Sequence, residues 1–207
     1  RESAHLRCRT NSFGAVMRVR NQLSKATHDF FQNRHFLNLH TPIITASDCE
    51  GAGQMFQVTT LDLDKVPKTD LNKVDYKKDF FGKKTHLTVS GQLNGETYAC
   101  GMGRIYTFGP TFRAENSNTS RHLSEFWMVE PEAAFFELEE NADLARDYLK
   151  YCFKSILESS EEDLEFFDQR VEKGIVKKLE TLSEAEFIRI TYTEAIKILE
   201  KSDVKFE

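Results

Sequence analysis

Tyr106-Thr107-Phe108-Gly109-Pro110-Thr111-Phe112-Arg113-Ala114-Glu115, followed after a polar loop by Glu125-Phe126-Trp127-Met128-Val129-Glu130-Pro131-Glu132, is the stretch around which the chain is organised. Read with the two-residue period of a strand, the first segment puts Tyr106, Phe108, Pro110 and Phe112 on one side. Thr107, Gly109, Thr111, Arg113 and Glu115 fall on the other. The return segment separates Trp127, Val129 and Pro131 from Phe126, Met128, Glu130 and Glu132. A strand, an exposed loop and a return strand are therefore expected, with one face left small enough to receive a ligand. The loop, Asn116 to Ser124, carries a single apolar residue, Leu123, and can move over whatever sits on the strands.

The wording Phe112-Arg113-Ala114-Glu115-Asn116 through Arg121-His122 to Phe126 resembles motif 2 of the class II aminoacyl-tRNA synthetases, asparaginyl branch, of the bacterial or organellar type. The similarity runs from about His5 to the end. It implies an α+β catalytic fold, an antiparallel sheet flanked by helices, of which only the N-terminal part is present. A bland alternative makes Arg113 and Glu115 a surface ion pair.

Composition sets wider bounds. The chain has 207 residues, 40% of them hydrophobic and 12% aromatic, enough to bury a sizeable core as a single partial catalytic domain over residues 1–207. A net charge of -5 argues against a module that holds nucleic acid by general attraction, so any RNA contact must be local or supplied elsewhere. Cys8, Cys49, Cys100 and Cys152 are scattered without a metal-type pair, and reduced thiols in a cytoplasmic compartment are expected, an organelle being the alternative. No run approaches the roughly 18 apolar residues of a membrane helix, so no membrane partner is expected. The start, Arg1-Glu2-Ser3-Ala4, has neither an initiator Met nor an apolar signal core, which suggests a piece of a longer polypeptide.

In chain order, Thr10, Asn11 or Ser12 can cap a helix with Phe13, Val16, Val19, Leu23, Ala26 and Phe30 as its apolar stripe, giving way at Asn33. Gln54 to Thr60 and Thr85 to Ser90 read as strands, and Leu93 to Met102 as a short helix. The charged excursion from Asp62 to Lys78 has no periodicity, and no chemistry is assigned to it. Beyond the hairpin, helices are expected over Asn141–Ser159 and Glu161–Leu182. A strand follows at Phe187–Thr191, then a last helix from Glu194 to Lys201 capped by Thr191 or Thr193.

The resemblance adds roles to these segments. His5 to Thr10 resembles the junction after an N-terminal anticodon-binding barrel, which is absent here. Phe36 to Ile44, with Pro42, looks like motif 1, implying a homodimer interface; ordinary packing at a sheet edge is the other reading. Residues 141–207 match a helical insertion after motif 2, and motif 3 is absent. Arg113 is the expected catalytic residue, a fixed guanidinium bridging carboxylate and α-phosphate. Glu115, Arg121, His122 and Phe126 complete the ATP site, Phe126 stacking on adenine; whether Arg121 or His122 meets the outer phosphate stays open. Glu50, Ser90, Gln92 and Glu130 are the expected amino-acid-binding residues, Glu50 being otherwise a solvated loop acid.

In aspartyl relatives a lysine stands where this chain has Gly95, and its absence favours L-asparagine over aspartate by leaving a bound carboxylate under-compensated. ATP and Mg²⁺ are the implied cofactors, with no metal ligand assigned in this chain, and tRNA(Asn) is the implied acceptor. Two other readings are a ligase of the same fold acting on free metabolites, of the ammonia-dependent asparagine synthetase type, and a catalytically incomplete dimerisation module.

Overall fold

The computed structural model describes residues 3–47, 49, 55–117, 119, 122–202 and 204. The chain forms two compact units, Arg1–Thr27 with Glu139–Glu207, and His28–Leu138.

The first unit is helical. Thr10 is extended (φ -80, ψ 144), and its Oγ1 accepts from the Phe13 amide at 3.3 Å, which starts α1 (Asn11–Gln32). Of the expected stripe, Ala26 and Phe30 are buried and Val19 and Leu23 pack against the core, but Val16 is 45% exposed and its neighbour Ala15 is buried instead. α3 (Leu138–Ser159) begins a turn earlier than periodicity suggests, with Glu139 and Glu140 in its first turn where the helix dipole favours acids.

The single helix expected over 161–182 is two, α4 (Glu161–Arg170) and α5 (Ile175–Glu184). The run ends at Arg170, and Gly174, at φ +89, is the left-handed residue from which α5 starts, its amide donating to Asp168 Oδ1 at 2.8 Å. Val171, between the two helices, is left 69% exposed. Ile156, Leu164 and Leu179 form the core of this unit, and a bidentate Arg18–Asp163 pair (2.6 and 2.9 Å) ties α1 to α4.

The expected strand at 187–191 is not formed. Phe187 lies under Lys150 and Arg189 pairs with Glu139 and Asp143 of α3, while Ile188 is 84% exposed. The alternation was that of an extended connector held by side chains, with no strand beside it among the described residues. Thr191 caps α6 (Tyr192–Leu199) through a reciprocal capping box with Glu194.

The second unit carries the sheets. At the end of α1 the Phe36 amide bonds back to the Phe31 carbonyl (3.0 Å) across His35, a non-glycine residue at φ +64. This turn delivers β1 (Leu37–Asn38), which pairs in parallel with β5 (Arg104–Phe112). β5 pairs antiparallel with β6 (Glu125–Ala133), giving the order β1-β5-β6. β2 (Ile44–Thr45), β3 (Gln57–Val58) and β4 (Thr85–Leu87) make a second, antiparallel sheet in the order β2-β4-β3, with β3 and β4 shorter than the strands expected at 54–60 and 85–90. α2 (Gln92–Met102) follows β4.

Phe30, Phe31, Phe36, Ile105 and Tyr106 are at most 2% exposed and form the core, with Phe31 stacked on Tyr106 at 4.8 Å. The Tyr106 hydroxyl meets His28 Nδ1 (2.6 Å) and Gln32 Nε2 (3.2 Å), so the tyrosine face of β5 is covered by the last turn of α1. The opposite face is covered by α2 at one end only. That leaves half a sheet face open.

Candidate active site

The open half-face is built by the hairpin register. Thr107 stands opposite Glu130, Gly109 opposite Met128, and Thr111 opposite Phe126, as the two-residue period requires. Arg113, one step beyond β5, reaches back over the same face: its guanidinium carbon lies 5.4 Å from the Phe126 ring centroid, and Nη2 is 4.0 Å from Met128 Sδ. Trp127 and Phe108 meet edge-to-face at 5.2 Å on the other side. The free face thus presents a cation, a flat ring, small residues and a carboxylate in sequence along three same-face residue pairs, a span of four residue steps or roughly 13 Å.

Glu130 is where α2 meets the sheet. Its Oε1 accepts from the Ser90 hydroxyl in a short contact, and its Oε2 accepts from the Gly91 amide (3.1 Å) and from Thr107 Oγ1 (3.0 Å). Ser90 Oγ also accepts from the Gln92 amide at 3.0 Å, which fixes where its proton points. Gln92 sits on the first turn of α2, with Nε2 donating to Glu96 (2.8 Å) and Oε1 accepting from the Cys49 thiol (3.8 Å). Ser90, Gln92 and Glu130, separated by up to 40 residues, therefore converge. Their partners Gly91 and Thr107 were not singled out from the sequence. The only hint was that Thr107 shares a strand face with Arg113.

Behind this cradle, Gly95 packs against Glu132 Cγ and Ile105 Cδ1, each 3.3 Å from where a β-carbon would lie. Glu132 has its carboxyl held above the usual range by burial first, then by neighbouring Glu96 and Glu130. Leu39 to Ile43 run beside β5 and, with Thr88, Gly91, Thr107 and Glu130, enclose a cleft of about 180 Å³. A larger open depression, about 810 Å³, lies on the helical unit between Arg9 and Arg170, but Glu162 and Glu165 line it too and no orienting geometry converges there.

Other expected site residues stand as follows. Glu115 makes its contact with His122, Nε2 to Oε2 at 3.4 Å. Glu50 and Arg121 lie outside the described residues. Among the described residues no three His, Cys, Asp or Glu side chains group as a metal ion needs.

The family described as "tRNA synthetases class II (D, K and N)" matches residues 1–207, the whole chain. The chain belongs to the class II tRNA synthetases. Among members of this family, it is 62% identical over 207 residues to an asparagine-tRNA ligase of Protochlamydia amoebophila, and 61% identical to one of Shewanella loihica. All of this chain is covered in both cases, but only 44% of each relative, so the chain spans less than half of their length. A solved asparaginyl-tRNA synthetase of Pyrococcus horikoshii, complexed with asparaginyl-adenylate, superposes with a TM-score of 0.76 at 29% identity over 98% of this chain and 41% of that one. The class II α+β fold expected of a synthetase is thereby established, with β1 its one parallel pairing among the described strands.

Proposed function

We propose that the protein carrying this chain activates L-asparagine with ATP and transfers it to tRNA(Asn). The observation that carries this reading is the placing of the Arg113 guanidinium over the Phe126 ring on the same sheet face as the cradled Glu130 carboxylate. In the first step a carboxylate oxygen of asparagine attacks the α-phosphorus of ATP and pyrophosphate leaves with the electron pair of the broken P–O bond. No protein nucleophile is needed, since the attacking group is already an anion. Arg113 binds both anions through its planar donors, and such preorganised charge contributes about 3 kcal/mol or more to a transition state. In the second step a hydroxyl of the terminal ribose attacks the carbonyl carbon, AMP leaves, and the ester forms.

Phe126 supplies a stacking surface for adenine, worth about 1 to 3 kcal/mol. Glu115 accepts from the adenine amino group once His122 gives way, and His122 or Arg121 then serves the outer phosphate. Glu130 is presented by three donors with lone-pair capacity to spare on Oε1, which suits the carboxamide NH₂ of asparagine. Aspartate would bring a second carboxylate against it, with no cation at Gly95. Ser90 and Gln92 line the same corner, and Glu50 is assigned to the substrate ammonium. The cleft of about 180 Å³ fits an amino-acid end, and the nucleotide is assigned to the open face beyond it. Mg²⁺ accompanies ATP and would offset phosphate charge.

Leu37, Ile43 and Ile44, each more than 40% exposed around Pro42, suit a homodimer through motif 1. No described helix is long and apolar enough to cross a membrane, and a cytoplasmic parent is the proposal. No observation here favours the ammonia-dependent ligase or the scaffold reading.

The test is asparagine-dependent pyrophosphate exchange by the intact protein. Exchange is expected with asparagine over aspartate, and Arg113→Ala is expected to lower it by about 10²- to 10³-fold with circular dichroism unchanged. Full exchange in that variant, or equal use of aspartate, would overturn the reading.

A further inference from the structure

The excursion before β4 ends in Lys77-Lys78-Asp79-Phe80-Phe81-Gly82-Lys83-Lys84, four cations and two aromatic rings in a chain whose net charge is -5. The one acid in this run is turned inward. Asp79 is 7% exposed and accepts from Thr59 Oγ1 (2.6 Å), the Thr60 amide and hydroxyl (2.9 Å each) and the Phe80 amide (2.8 Å). All four lysines are exposed and none makes an ion pair among the described residues. Phe80 is 75% and Phe81 43% exposed, and the two rings stand edge-to-face at 4.8 Å.

The tip is built rather than trailing. A 3-10 turn, Tyr76–Lys78, leads into it, the Asp79 amide bonds to the Tyr76 carbonyl (3.0 Å), and the Gly82 amide bonds to the Asp79 carbonyl (3.0 Å). Gly82 sits at φ +65, which lets the chain reverse beneath the rings. An anchored phenyl face in water with two lysines on either side matches a polyanion whose units have flat rings. From Lys84 to Ser90 the backbone spans six residue steps, at most about 20 Å. The tip is thus within reach of a chain whose end lies at the Glu130 cradle.

We propose that Lys77–Lys84 is an RNA-contacting tip, with Phe80 stacking on an unpaired base near the acceptor end and the four lysines holding the adjoining phosphates. The identity of that RNA as tRNA(Asn) rests on the function proposed above; the presence of an RNA surface does not. An isolated contact of this kind supplies locally what the chain's overall acidity cannot.

The experiment uses the intact protein and three variants, Phe80→Ala, Phe80→Tyr and the pair Lys83→Glu with Lys84→Glu. Binding of a labelled RNA hairpin with a single-stranded 3′ overhang is followed by anisotropy across a salt series, beside the tRNA KM in aminoacylation and tRNA-independent pyrophosphate exchange. Phe80→Ala is expected to weaken RNA binding by about tenfold, Phe80→Tyr to retain it, and the double lysine variant to flatten the log-log salt slope by about 1.4, or 0.7 per lysine. Exchange should not change in any of them.

Unchanged RNA affinity would overturn the proposal, as would exchange falling in step with binding, which marks a structural tip. A change confined to vesicle binding or to solution mass would assign the surface to a membrane or a protein partner and overturn it too. Should the wild-type protein lack asparagine-dependent exchange, the functional reading fails while the RNA-binding arm still decides this one.

Discussion

Gly91 and Thr107 touch so closely that a β-carbon on Gly91 would stand 2.8 Å from the Thr107 hydroxyl oxygen, and 3.0 Å from both Thr107 Cγ2 and Thr41 Oγ1. This contact brings the Gly91 amide and the Thr107 hydroxyl onto one oxygen of Glu130. Gly91→Ala is expected to cost about 1 to 3 kcal/mol, because all three neighbours are attached to strand or loop backbone that must shift. Adding Thr107→Ala should restore much of the denaturation midpoint but not the asparagine KM, since the cradle then loses a donor. A double variant no more stable than Gly91→Ala alone would show that the clash lies elsewhere.

Gly95→Lys places a cation beside the cradle. Its β-carbon meets only Glu132 Cγ and Ile105 Cδ1 at 3.3 Å, a methylene of a flexible side chain and a terminal methyl that can give by a few tenths of an ångström. The protein should fold, and the preference for asparagine over aspartate, measured as the ratio of kcat/KM in pyrophosphate exchange, should narrow by about tenfold or more. An unmoved ratio would mean that the missing lysine is not what rejects aspartate.

Asp79 gives a pH dependence with a definite sign. The Thr59 hydroxyl first, then the Thr60 amide and the other donors, lower its carboxyl from the ordinary 3.8 to about 2. Because the folded value is depressed, its contribution to stability is complete above the ordinary value and is lost as pH falls from about 4 towards 2. Hydrogen-exchange protection of the Thr60 and Phe80 amides should drop across that window, and Asp79→Asn should remove the dependence. Protection that stays level through the window in the wild type would contradict the assignment.

His35 holds φ +64 at the turn that releases β1 from α1, and it is exposed. A β-carbon there costs about 1 kcal/mol, so His35→Gly should raise stability by about 0.5 to 1 kcal/mol in urea denaturation, offset in part by glycine's greater freedom when unfolded. Loss of stability instead would point to a role for the imidazole.

Much of the fold was readable because its elements advertise themselves locally. α2, α3 and α6, the two faces of the hairpin and the Thr191 cap follow from periodicity and capping chemistry, which act over a few residues. The same locality explains the misses. Nothing within Phe187–Thr191 says whether a partner strand lies beside it, and it has none among the described residues. Periodicity runs across residues 171–174 unbroken, although one helix stops at Arg170 and the next starts only after the left-handed Gly174.

By itself the sequence determined that Arg113, Phe126 and Glu130 share one face, since a strand turns its side chains over every second residue and the register of a hairpin is set by its own pattern. Only the tertiary structure decided that Ser90, Gly91 and Thr107 would close on Glu130, and that Asp79 would turn inward beneath a tip of bare lysines and phenyl rings. Those contacts join segments 20 to 40 residues apart. Each depends on how β3, β4 and α2 lie against their neighbours, a matter of packing between elements that no short-range pattern encodes.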